Sequence, residues 1–118
     1  MEGQVTKNFS YKELSCPCCN VFGMKPVFIE KLQEVRDLFN EPMVITSGYR
    51  CERHNVAIGG VPKSQHLEGL AVDVAIINGG SRFKLIAIAL EAGLAGIGVA
   101  KTFVHLDYRV GPKVMWLY

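Results

Sequence analysis

Residues 70–76, LAVDVAI, form an apolar run with one carboxylate, Asp73, at its centre. Its length and its valine and isoleucine content predict a buried β-strand. A carboxylate in such a strand is costly to bury unless something positive meets it. The chain must therefore fold so that an arginine or a metal ion reaches the middle of this strand. The residues just before it, SQHLEG, supply His66, seven positions upstream of Asp73.

The rest of the chain reads as alternating helices and short strands. NFSYKEL has Ser10 three residues before Glu13, a capping-box pattern that predicts a short helix. KPVFIEKLQEVRDLFNEP predicts a first long helix, with Pro26 in its opening turn, apolar residues Phe28, Ile29, Leu32, Val35, Leu38 and Phe39 at helical spacing, and Pro42 as its stop. MVITSGYR predicts a strand, and CERHNVAIGG predicts one or two helical turns closed by Gly59 and Gly60. SRFKLIAIALEAG predicts a second long helix, capped by Ser81 and ended by Gly93. GIGVA and FVHLDYR predict two strands joined as a hairpin around Lys101 and Thr102. No regular βαβ rhythm appears, so the expectation is a small α+β domain, residues 1–118, with a mainly antiparallel sheet.

Composition narrows the function. With 118 residues the chain suits one domain with one core, and 49% hydrophobic against 20% charged residues argues against disorder. A net charge of +2 with no run of lysine or arginine gives no footprint for nucleic acid. No apolar stretch reaches the ~18 residues of a membrane span. The N-terminal MEGQVTKNFSYKEL lacks the apolar core of a signal peptide, so synthesis in the cytoplasm is expected. A monomer is expected as well. The four cysteines are Cys16, Cys18, Cys19 and Cys51; in such a chain clustering favours metal binding or free thiols over a disulfide framework.

Strand alternation puts Phe103, His105 and Asp107 on one face, and Ala71, Asp73 and Ala75 on one face of the earlier strand. If the two strands are neighbours, an imidazole and a carboxylate converge, and His66 can add a third ligand. Two histidines and an aspartate make a reasonable zinc set, since catalytic zinc keeps three protein ligands and an open position. The alternative is that Asp73 pairs with an arginine and the two histidines are ordinary polar residues.

TSGYR, HNVAIGG, SQHLEGLAVDV and FVHLDYR, in that order, resemble the zinc D-alanyl-D-alanine carboxypeptidase family, which includes peptidoglycan peptidases and phage endolysins and shares its fold with the hedgehog signalling domain. The likeness runs from about Phe9 to the end. It implies one catalytic zinc on His66, Asp73 and His105, and an active-site Arg50 that binds the scissile carbonyl oxygen or a substrate carboxylate. Many such relatives have an acid three positions before the last histidine ligand; here that position is Thr102. Asp107 is the nearest acid and is expected to act as the base, with orientation of a ligand histidine as the competing role. Glu68 is the substitute base or a solvated loop charge. Ser64 and Gln65, beside the first ligand, are expected to bind substrate or to brace the loop.

His54 reads as a helix-surface or capping residue, and Trp116 as a core residue rather than a cleft wall. The pair Cys16-x-x-Cys19 and Cys51-x-x-His54 has the spacing of a Cys₃His structural zinc site, set against free thiols or a disulfide from Cys51. The function expected is a zinc peptidase cutting peptidoglycan peptides that contain D-amino acids, exo- or endo-acting, working at the bacterial cell wall, with a phage or prophage origin favoured. The rivals are a zinc-stabilised module that binds wall peptides without cutting them, and a structural domain with no metal.

Overall fold

A computed structural model describes residues 3–118. The element order is α1 (Tyr11–Leu14), α2 (Pro26–Phe39), β1 (Val44–Ser47), α3 (Glu52–Ala57), β2 (Ala71–Ala75), α4 (Gly79–Glu91), β3 (Gly96–Val99), β4 (Phe103–Asp107) and β5 (Val114–Leu117). The strands form one sheet in the order β1-β2-β4-β3-β5. All pairs are antiparallel except β3 with β5, which run parallel. The α+β expectation, with a mostly antiparallel sheet, is met. Among the described residues no helix is long and apolar enough to cross a membrane.

The sheet has two unlike faces because its residues alternate. Val72, Val74, Val104, Leu106 and Ile97 point to one side and join Phe28, Ile29, Leu32 and Val35 of α2 and Leu85 and Ala89 of α4 in a single core. Burying a valine, leucine or phenylalanine there contributes roughly 1.5–3 kcal/mol each. The opposite face carries Asp73, His105 and Asp107. Register aligns Ser47 of β1, Asp73 of β2, His105 of β4, Gly98 of β3 and Trp116 of β5 in one row across the sheet. A bulge between Ile45 and Ser47 brings Ser47, rather than Thr46, opposite Asp73.

Several sequence expectations hold in detail. Ser10 and Glu13 complete the capping box of α1, Pro26 opens α2, and β3 and β4 form the hairpin. Others are corrected. Helix α4 begins at Gly79, capped by the Asn78 side chain; the Ser81 amide donates to that side chain and Ser81 is not the cap. Helix α2 ends because Asn40 takes a left-handed conformation (φ 54°), before Pro42 is reached. Leu38 faces solvent, 55% exposed, so the apolar stripe of α2 is narrower than its spacing suggested. Strand β5 is not anticipated, and it carries Trp116 onto the site face, where it lines a cleft and is not a core residue.

Candidate active site

His66, Asp73 and His105 converge, and one ligand atom from each lies within 4.8 Å of the others. All three residues are buried. Asp73 and His105 are direct partners in the β2–β4 ladder. His66 arrives on a turn-rich loop whose shape comes from backbone bonds: the Leu67 amide to the Ser64 carbonyl, the Leu70 amide to Gln65, and the Arg50 amide to the carbonyl of His66. Ser64 braces this loop by accepting the His66 amide on its hydroxyl, 3.2 Å away.

The proton positions on the imidazoles follow from their partners. His66 Nδ1 lies 2.7 Å from the Gly48 carbonyl, which can only accept, so Nδ1 carries a hydrogen. With that hydrogen on Nδ1, an Nε2 that carries none turns its lone pair toward Asp73 Oδ1, 3.1 Å away. His105 is arranged in the same way: Nε2 is 2.7 Å from Asp107 Oδ2, and Nδ1 is 3.1 Å from Asp73 Oδ1. One carboxylate oxygen thus faces two imidazole nitrogens whose far edges are both held by acceptors. Two lone pairs and an anionic oxygen repel unless both rings are protonated or one cation sits among them. Metal-ligating histidines commonly donate their other N–H to a carbonyl or carboxylate, as both do here. The donor set therefore fits a zinc ion, with His66 Nε2, Asp73 and His105 Nδ1 as the ligand groups.

Charge at the site is strongly paired. In the metal-free site burial pushes the Asp73 carboxyl up, but hydrogen bonds from the His105 and His66 rings in their protonated form outweigh this and hold it well below the usual carboxylate range. Burial disfavours the charged form of His105, yet Asp107 and Asp73 raise its pKa above the ordinary value. Asp107 is fully buried and also held below the usual range: burial opposes the charge, and Arg109 and His105 prevail.

Arg50 reaches the site as expected, and its partners are visible. Nε donates to Ser47 Oγ at 3.0 Å, one terminal nitrogen to Asn55 Oδ1 at 3.2 Å and the other to Asp73 Oδ2 at 3.2 Å. The arginine pairing weighed for Asp73 is thus present together with the histidines. A guanidinium has five N–H groups; three are engaged here, which leaves donors for a ligand.

Asp107 shares the face of His105, as alternation required. Both its oxygens are occupied, by His105 Nε2 and by a bidentate Arg109 at 2.8 and 2.6 Å. It does not line the cleft, and neither does Glu68, which is exposed. Room for the Asp107 carboxylate comes from its ladder partner Gly96, where a Cβ would overlap it. At Gly98 a Cβ would lie 2.7 Å from Trp116 Nε1. The two glycines of GIG thus hollow a trough in β3 for neighbouring side chains.

His66, Asp73 and His105 lie in a cleft of about 520 Å³, lined among others by Arg50, Lys63, Gln65, Arg109, Trp116 and Tyr118. Arg109 stacks over the Trp116 ring, 5.3 Å from its centroid. Among the described residues Asp73 is the one carboxylate side chain lining the cleft, against the cationic side chains of Arg50, Lys63 and Arg109. Sequence reasoning does not single out Asn55 or Arg109. Asn55 is buried and ties Arg50 to the carbonyl of Val61. Alternation extended by two residues from Asp107 would have pointed to Arg109.

The cysteine expectation needs one correction. Cys16, Cys18, Cys19 and Cys51 come together, each offering a sulfur within 4.8 Å of the others. His54 is not part of the group; its amide donates to Cys51 Sγ at the start of α3.

No curated protein matches the chain. The family model described as Peptidase M15 matches residues 7–107, a span that contains Arg50, the convergent His66, Asp73 and His105, and Asp107. With the match running over most of the sequence, the chain belongs to the peptidase M15 family, whose members are zinc metallopeptidases similar to D-alanyl-D-alanine carboxypeptidases.

Proposed function

We propose that this protein is a zinc-dependent peptidase that hydrolyses peptide bonds of bacterial peptidoglycan, in stem peptides or cross-links containing D-amino acids. The observation that carries the reading is the single oxygen of Asp73 faced by His66 and His105 at the foot of a cationic cleft. A zinc ion held there supplies Lewis acidity to a carbonyl and to water. Arg50 directs its remaining N–H groups at the carbonyl oxygen and donates to it as negative charge develops. Lys63 and Arg109 favour a substrate with a free carboxylate near the scissile bond, a feature of stem peptides. Ser64 holds the loop of His66, and Gln65 contributes a polar group to the cleft wall.

In this reading Asp107 is a positioning residue. Its carboxylate fixes the tautomer and tilt of His105, and its depressed pKa makes it a weak proton acceptor near neutral pH. The base role expected for it would require it to leave Arg109 and His105. The same observation favours a second reading, a wall-peptide binding module that does not cut: among the described residues no uncommitted carboxylate side chain lines the cleft.

The test is mass spectrometry of purified peptidoglycan and of a synthetic stem pentapeptide after incubation with zinc-loaded protein. Fragments that vanish with a chelator and return with zinc support the peptidase and identify the bond. Retention on peptidoglycan without fragments supports the binding module.

A further inference from the structure

We infer that the chain holds a second, structural zinc ion on Cys16, Cys18, Cys19 and Cys51, and that this ion pins the segment that delivers Arg50 to the cleft. The four sulfurs come from two places. Three lie on the hook SCPCCN after α1, and Cys51 caps α3. The sulfurs lie 3.6 Å apart for Cys16–Cys18, 3.6 Å for Cys16–Cys51 and 3.3 Å for Cys18–Cys51. A tetrahedral ion with Zn–S bonds of about 2.3 Å spaces its sulfurs about 3.8 Å apart, so only small adjustments would seat it. A disulfide needs about 2.05 Å between sulfurs, and all four cysteines are free.

The surroundings suit thiolates. The Cys51 amide points at Cys16 Sγ (3.5 Å), the His54 amide at Cys51 Sγ (3.4 Å), and the Arg53 guanidinium at Cys18 Sγ (3.8 Å). A four-thiolate zinc centre carries net negative charge, and Arg53 offsets part of it. The hook is shaped by backbone bonds from the Asn20 amide to the Cys16 carbonyl and from the Cys16 amide to Val21, with Asn20 at φ 60°. Cys18 is exposed and Cys19 and Cys51 are half-buried, so the group does not persist as apolar core filling. All ligand positions would be filled by protein sulfur, the mark of a structural rather than a catalytic ion.

The position of Cys51 gives the ion its role. In the four residues Gly48–Cys51, the Gly48 carbonyl holds His66, the Tyr49 amide donates to the Leu14 carbonyl, the Arg50 side chain meets Asp73, and Cys51 joins the sulfur cluster. An ion on the sulfurs fixes one end of this segment against the hook, and the active site fixes the other.

Native mass spectrometry of the full chain, purified in reductant, is expected to show two zinc ions per molecule. Cobalt exchange is expected to produce an intense thiolate-to-cobalt charge-transfer band that persists in His66→Ala and is lost in Cys18→Ser. Stepwise addition of a mercurial is expected to release one zinc as four thiols are consumed. A single zinc without a thiolate band, or four thiols that react with a probe in the native protein without releasing metal, would overturn the inference. Loss of the thiolate band in His66→Ala would overturn it too. Absence of the cleft ion alone, with the band intact, would instead count against the catalytic reading.

Discussion

The two clusters of metal-ligating side chains differ in almost every respect. His66, Asp73 and His105 are buried, come largely from paired strands, mix nitrogen and oxygen donors, and open onto a cleft. The cysteines come from a loop hook and a helix cap, offer only sulfur, and reach the exterior at Cys18. Three ligands at the cleft would leave an ion one open position, whereas four sulfurs around an ion would leave none. In the proposed reading chemistry and support are kept apart, and the Gly48–Cys51 segment, which touches both clusters, is the bridge between them.

The sharpest way to test this separation is Arg50→Lys, which changes only the cleft side of the bridge. Lysine keeps the charge but cannot replace the three-way contacts to Ser47, Asn55 and Asp73. Hydrolysis of a stem peptide is expected to fall on the order of 10²-fold or more, with the metal content unchanged. Near-normal turnover would remove Arg50 from the site.

Asp107→Asn probes how the strand-borne centre is held. As a positioning residue, its loss is expected to weaken zinc binding about 10- to 100-fold, with a smaller decrease in the zinc-saturated rate. Competition with a chromophoric chelator gives the first number and peptide hydrolysis the second. Unchanged zinc affinity with turnover down roughly 10²- to 10⁴-fold would restore Asp107 as the base. Gly96→Ala, which intrudes on the same carboxylate, is expected to act in the same direction as the positioning role.

Acid should distinguish the histidine centre through His105. Its pKa in the metal-free protein is raised, because Asp107 and Asp73 outweigh the effect of burial. A proton on Nδ1 blocks the ligand lone pair, so zinc affinity is expected to fall as pH drops through that raised pKa, by roughly tenfold per pH unit for one competing proton. Asp107→Asn removes one of the partners that raise it, and the onset is expected at lower pH. An onset that stays in place would separate the two residues.

The smallest effect is expected at the hook's own foundation. Ser10→Ala removes the capping box of α1, the helix whose last residue, Leu14, accepts the Tyr49 amide. A loss of about 1 kcal/mol, read by denaturant unfolding, is the usual scale for such a cap. Hydrolysis is expected to be preserved under folding conditions.

Much of the strand-borne centre was legible because it depends on local alternation. FVHLD and AVDVA place His105 and Asp73 on the right faces as soon as the strands are neighbours, and the pairing of β2 with β4 supplies that. The helices were legible for the same reason, except where a single backbone conformation intervened, as at Asn40. Features that depend on distant segments meeting were harder to read. Nothing local in VMWL reports that β5 lies parallel to β3, so the cleft position of Trp116 was missed. Motif spacing suggested His54 with the cysteines, whereas hook geometry brings Cys18 instead. The occupancy of Asp107 by Arg109 turns on a side-chain choice that strand periodicity leaves open.

Asp73 and His105 stand on β2 and β4, each with a paired strand on both sides. Ladder amides so enclosed exchange their hydrogens mainly through openings close to complete unfolding, while surface turns such as those around Lys63 and Gln65 open independently at lower cost. Mild heat or limited proteolysis would then strip away substrate handling first. The expected end state of damage is a chain that keeps Asp73 and His105 paired at the centre of the sheet after the loop that carries Gln65 and His66 has let go.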